Sequence, residues 1–183
     1  MPERYRDYIR SNHEFLCEGD RHVLVSEETI DCCEQVSYSA LKNLILSDPE
    51  WELVFVEWMR KNHEAGWYPD EVAESDFIRF FYARKSGWPY YGFVYADCDV
   101  LFKEPIPELD ENYSWFGLDK GINHLDIFLF IDFGTNGLIS DFMETLKNKN
   151  TPMNHPVGSA AVSFLSNDSR VKILNDSFFV HEK

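Results

Sequence analysis

The sequence predicts an α/β domain in which helices alternate with short apolar strands around one buried core. With 183 residues, the chain has the usual length of one domain, so we expect residues 1–183 to form a single unit. Aromatic residues make up 16% of the chain, far more than a disordered segment carries. Apolar runs of strand length that alternate with helical segments are typical of layered α/β folds.

The predicted helices follow from capping residues and charge placement. The clearest covers residues 69–86: Pro69 suits a first turn, Asp70 and Glu71 lie near its positive end, and Gly87 is a good stop. For residues 51–62 the apolar run fits a helix or a strand equally well. The other predicted helices are residues 3–11, 39–46 (ended by Asp48-Pro49), 137–147 and 157–165.

The predicted strands are short apolar runs bounded by polar or turn residues. They are residues 14–17, 23–25, 93–102, 114–118, 127–131 and 170–174. We expect them to form a mixed, mostly parallel central sheet flanked by helices.

Charge and cysteine content narrow the possible partners and the compartment. The formal net charge of -15 argues against binding nucleic acid or an anionic membrane. Apolar runs stay below transmembrane length, and the segment after Met1 lacks the apolar core of a signal peptide. The cysteines follow no zinc or redox spacing, so we expect reduced thiols in a cytoplasmic protein. They are Cys17, Cys32, Cys33 and Cys98.

The most informative stretch is residues 93–102, an apolar run interrupted by Asp97 and Asp99. In a continuous strand these two side chains would project from the same face, with Cys98 on the other. Two buried carboxylates without partners would cost several kcal/mol, so a positive group should lie between them. Mg²⁺ or Mn²⁺ carrying a phosphate ligand fits this requirement.

The helix before this strand carries Ala73, Ser75, Asp76 and Arg79. Asp76 and Arg79 are three residues apart and therefore share one helix face. A helix reading A-x-S-D-x-x-R, followed by a turn and an apolar strand with D-x-D, resembles the family-32 sugar-binding-region glycosyltransferases and, more distantly, the large clostridial glucosylating toxins. The resemblance covers residues 73–105, including Lys103-x-Pro105.

This resemblance implies a small GT-A-like, Rossmann-like domain that binds a nucleotide sugar. It further implies Mn²⁺ (or Mg²⁺), a UDP- or GDP-linked hexose donor, a glycan acceptor and retention of the anomeric configuration. Asp97 and Asp99 would be the catalytic pair, with Asp97 on the donor and, through water, on the metal, and Asp99 bound directly to the metal. The remaining donor-binding residues implied are Ala73, Ser75, Asp76 and Arg79.

A further metal or phosphate ligand is expected from the C-terminal part, where His155 and His181 are the candidates. Trp88 and Tyr90 are the aromatic residues of the loop that could stack on a sugar. A surface histidine with no ligand is the ordinary alternative for either histidine.

Two other functions remain open from the sequence. A non-catalytic nucleotide-sugar or sugar-binding module would keep the same residues without turnover. A haloacid-dehalogenase-like phosphatase would use Asp97 as nucleophile and Asp99 as general acid/base, although its D-x-D normally opens the domain.

Overall fold

Five α-helices and eight strands form the part of the chain that the computed structural model describes, residues 1–16, 20–66, 69–85, 93–120, 125–134, 136–147 and 168–181. The helices are α1 (Glu3–His13), α2 (Tyr38–Ser47), α3 (Pro49–Ala65), α4 (Asp70–Lys85) and α5 (Leu138–Lys147). The strands are β1 (Val23–Val25), β2 (Glu34–Val36), β3 (Phe93–Ala96), β4 (Val100–Phe102), β5 (Ser114–Lys120), β6 (Leu125–Asp132), β7 (Val171–Ile173) and β8 (Phe179–His181). The 3₁₀ turn Asp176–Phe178 leads into β8.

The central sheet is mixed and has four strands in the order β3-β6-β5-β7. The α/β class is therefore confirmed, but the expected mostly parallel arrangement is wrong. β6 pairs antiparallel with both β3 and β5, and the β5–β7 pair is the parallel one. The short connection from β5 to β6 explains why that pair is antiparallel, because a parallel return needs a crossover of about a dozen residues or more.

Two apolar cores lie on opposite faces of this sheet, and β6 contributes to both. Phe130 packs into the first core with side chains from α2, α3, α4 and α5. Its neighbours Leu129 and Ile131 pack into the second core, with β4 and the segment 174–179. Successive side chains of a strand point to opposite faces. A strand buried on both faces reads as a continuous apolar run, as β6 does.

The boundary between α2 and α3 shows how the sequence sets helix ends. The Asp48 carboxylate accepts hydrogen bonds from the backbone N–H groups of Glu50 (3.1 Å) and Trp51 (3.4 Å). Pro49 occupies the first turn, and Gly66 ends the helix at φ 62°, where a side chain would be strained. The Asp48-Pro49 pair thus ends α2 and also starts α3. This resolves the ambiguous residues 51–62 as helix.

Most predicted elements are confirmed within a few residues, apart from the differences below and the strand predicted over residues 93–102, which is divided into β3 and β4. The strand predicted over residues 14–17 is wrong, because the backbone of Glu14, Phe15 and Leu16 continues in turns that follow α1. The sequence prediction also missed β2 and β8. The helix predicted over residues 157–165 lies outside the described residues.

The side chain of Asn12 connects α1 to β4. Its Nδ2 donates to the Val100 carbonyl and its Oδ1 accepts from the Phe102 N–H, both at 2.9 Å. These bonds occupy one edge of β4, and β8 occupies the other through antiparallel pairing. None of the helices in the described part of the chain combines the length and apolar character needed to span a bilayer.

Candidate functional site

Asp97, Cys98 and Asp99 form a turn, called here the aspartate turn, between β3 and β4. The expectation of a single strand through this segment is wrong. The chain leaves the four-stranded sheet after Ala96 and joins β8 from Val100 onward. The Val100 N–H donates to the Asp97 carbonyl at 3.0 Å and closes the turn. Asp97 and Asp99 are therefore brought together by a change of sheet and not by strand alternation.

Helix α4 places Asp76 and Arg79 against this turn. The Arg79 guanidinium lies 2.8 Å from Asp76 Oδ1 and 3.3 Å from Asp97 Oδ1. The side chains of Asp76 and Arg79 are only 9% and 12% exposed, so water screens the pair weakly. The predicted shared helix face is confirmed. In addition, Arg79 supplies a positive group to the partly buried Asp97.

Tyr95 orients Asp97 from the end of β3. Its hydroxyl donates to Asp97 Oδ1, and its ring lies 4.8 Å from the Arg79 guanidinium carbon and 5.0 Å from the Phe130 ring. Burial raises the pKa of Tyr95 well above its ordinary value, so the hydroxyl stays a donor. Burial also raises the pKa of Asp97, against the opposing effects of Arg79 and the Tyr95 hydroxyl. The sequence analysis did not select Tyr95, although its position two residues before Asp97 was a usable signal.

Asp99 is the other carboxylate of the turn, and it faces His181. The two strands that flank this pair are in register, with Val100 opposite His181. That register brings His181 Nε2 to 3.5 Å from Asp99 Oδ1. The two side chains are partly buried, at 18% and 27% exposed. The sequence proposed His181 without a means of placing it, because β8 was not predicted.

The Asp99–His181 pair has the chemistry of a partial cation site. Asp99 Oδ1 is buried and accepts no hydrogen bond from the described residues. Buried polar atoms nearly always have a hydrogen-bond partner, and the 3.5 Å contact with His181 Nε2 is long for a hydrogen bond. A carboxylate oxygen suits Mg²⁺ and Mn²⁺ alike, and a neighbouring imidazole nitrogen favours Mn²⁺ over Mg²⁺. Asp97 has its Oδ1 occupied by Tyr95 and Arg79, which leaves Asp99 as the better direct ligand.

The remaining predicted residues divide into two groups. Ala73 is buried and Ser75 half-buried on α4. Helix geometry places Ala73 beside Asp76 and Ser75 beside Arg79, three and four residues apart. Three others lie outside the described residues: His155, Trp88 and Tyr90.

The chain matches no protein-family model, no curated protein and no solved structure.

Proposed function

We propose that this chain is a metal-dependent glycosyltransferase that moves a hexose from a nucleoside-diphosphate sugar to a hydroxyl of a glycan acceptor. The observation that carries the proposal is the convergence of α4, the aspartate turn and β8. These three segments gather Asp76, Arg79, Asp97, Asp99 and His181 in one place. The resemblance of residues 73–105 to D-x-D glycosyltransferases supports the same conclusion independently of these contacts.

In this proposal Asp99 and His181 hold Mn²⁺. When bound, the ion would act as a Lewis acid that neutralises the leaving diphosphate. Asp97, fixed by Tyr95, would accept hydrogen bonds from hydroxyl groups of the donor. Arg79 presents planar donors that suit a phosphate oxygen. Asp76 keeps that guanidinium in place at 2.8 Å.

The environment of Asp97 favours the transferase over the phosphatase alternative. A nucleophilic carboxylate needs a free, electron-rich oxygen. Here Asp97 Oδ1 accepts from Tyr95 and lies 3.3 Å from Arg79, and both contacts reduce its nucleophilicity. Such a carboxylate is better suited to positioning a bound sugar.

Turnover of nucleotide sugars tests the proposal. UDP- and GDP-linked hexoses are incubated with the chain, Mn²⁺ and a panel of glycan acceptors, and release of UDP or GDP is measured. We expect release that needs Mn²⁺ and is lost in Asp99→Asn. Glu108→Gln is the matched control, because Glu108 is an exposed acid away from the turn.

The result also separates the two remaining functions. Donor binding that needs Asp99, with no release of nucleotide for any acceptor, would favour the non-catalytic binding module. Phosphate release from phosphomonoesters, with no effect of nucleotide sugars, would contradict the proposal.

A further inference from the structure

A second group of metal-ligating side chains, called here the histidine–cysteine group, lies beside the β1–β2 pair. It consists of His13, His22 and Cys32, and one ligand atom of each lies within 4.8 Å of the others. His13 is the last residue of α1, His22 immediately precedes β1, and Cys32 lies in the connection to β2. Three separate segments therefore contribute one donor each. This explains why the cysteine spacing along the chain gave no sign of a zinc site.

The two imidazoles of this group face each other. Their Nδ1 atoms are 3.2 Å apart, and their ring planes are within 9° of parallel. Two facing lone pairs repel, so either a hydrogen or a cation has to lie between them. On a tetrahedral zinc ion with bonds of about 2.0–2.1 Å, two nitrogen ligands lie about 3.3 Å apart. The observed separation of 3.2 Å therefore fits two ligands of one ion, and it equally fits a hydrogen bond between the two imidazoles when no ion is bound.

Backbone hydrogen bonds fix the segments that carry these ligands. The Glu34 N–H donates to the His22 carbonyl at 2.8 Å, which ties His22 to β2. The Cys33 N–H donates to the Ile30 carbonyl at 2.9 Å and closes a turn that includes Cys32. A small apolar cluster made by Ile9, Leu24 and Ile30 packs against Cys32. The three ligands thus come from ordered positions.

We propose that His13, His22 and Cys32 bind Zn²⁺, with the fourth position taken by water or another ligand. Two imidazoles and a thiolate form a nitrogen–sulfur set that suits zinc, whereas Mg²⁺ and Mn²⁺ prefer oxygen. The ion joins α1, the start of β1 and the β1–β2 connection. Bound zinc would also help to hold α1 in place, and the Asn12 side chain of α1 bonds the backbone of β4. The inference is independent of the proposed transferase activity.

Zinc titration of the full chain tests this inference. Binding is measured by calorimetry in the presence of a reductant that does not chelate metals, and Co²⁺ is used as a spectroscopic substitute. The test variants are His13→Ala and Cys32→Ser. The matched control is His63→Ala, an exposed histidine on α3.

We expect one zinc per wild-type chain and an affinity that the His63→Ala control retains. Loss of a partner of a ligand costs about 10- to 100-fold in metal affinity, so loss of a ligand should cost at least about 100-fold. With Co²⁺ the wild type should show sulfur-to-metal charge-transfer absorption, and Cys32→Ser should not. His13 is exposed, so His13→Ala should fold normally and carries the test if Cys32→Ser does not fold.

Three results would overturn the inference. The first is a wild-type chain that binds no zinc. The second is undiminished zinc affinity in a folded His13→Ala variant. The third is zinc binding that is lost in Asp99→Asn and retained in both test variants, which would assign the ion to the aspartate turn.

Discussion

The aspartate turn and the histidine–cysteine group differ in the chemistry of their donor atoms and in how many donors the protein itself provides. At the turn, Asp99 and His181 form a pair while Arg79 engages Asp97, so a cation held by this pair would need further ligands from a bound molecule. At the second group, three nitrogen and sulfur donors already lie within 4.8 Å of one another. The first arrangement suits a metal that comes and goes with a ligand. The second suits a resident ion that holds segments together.

Among the variants that test this comparison, Arg79→Ala is expected to lose the most stability. Removing the guanidinium leaves Asp76 and Asp97 without their shared cation in a poorly hydrated place. Breaking a buried ion pair on one side costs about 3–5 kcal/mol. Chemical denaturation should show a loss of this size.

Arg60→Ala is the matched control for Arg79→Ala. Arg60 forms ion pairs with Glu57 and Glu64 on the exposed face of α3, so its removal should leave the denaturation midpoint almost unchanged. Equal midpoint shifts in the two variants would contradict the special environment assigned to Arg79. Zinc binding should survive in Arg79→Ala at temperatures where the chain is folded.

A smaller effect is expected from Asn12→Ala, which tests whether the two sites are mechanically linked. The substitution removes both hydrogen bonds between α1 and β4 and leaves buried backbone groups with one partner fewer. The expected cost is about 1–3 kcal/mol, measured by denaturation. Helix α1 carries His13, so an α1 that is held less firmly should bind zinc more weakly. Added zinc should therefore raise the denaturation midpoint of this variant by less than it raises that of the wild type. An unchanged midpoint would show that the two bonds do not hold α1 in solution.

The smallest effect concerns a region that belongs to neither site. Hydrogen bonds from Arg170 lower the pKa of Asp168. A carboxyl whose pKa falls on folding adds stability above its unfolded pKa, and that contribution is lost as the pH falls through the folded value. Asp168→Asn should therefore be less stable than the wild type by about 1 kcal/mol at pH 7. The difference should shrink below about pH 4, and a difference independent of pH would contradict this account.

Local patterns in the sequence predicted more of the fold than its long-range pairing. Capping signals and charge placement located α4, and its period put Asp76 and Arg79 on one face. The strand order could not be predicted, because the β3–β6 and β5–β7 pairs join segments far apart in sequence. The same limit hid β8, whose register with β4 brings His181 to Asp99.

The residues of the candidate sites were likewise predictable where they lie close in sequence and not where they come from distant segments. Asp97 and Asp99 are close in sequence, so a short motif revealed them, although the turn between them was expected to be strand. His13, His22 and Cys32 come from three segments and match no motif spacing. Tyr95 was overlooked although it lies two residues before Asp97, because its contacts with Phe130 and Arg79 arise only in the folded chain.

The most direct test of the account is calorimetric binding of UDP and GDP to the full chain, with Mn²⁺ and with Mn²⁺ omitted. The wild type, Asp99→Asn and His13→Ala are compared, with Glu108→Gln as control. We predict that one of the two nucleotides binds only when Mn²⁺ is present, that Asp99→Asn abolishes this binding, and that His13→Ala and Glu108→Gln retain it. Binding that needs neither Mn²⁺ nor Asp99, or no binding of either nucleotide to the folded wild type, would contradict the assignment of the aspartate turn as a nucleotide-sugar site.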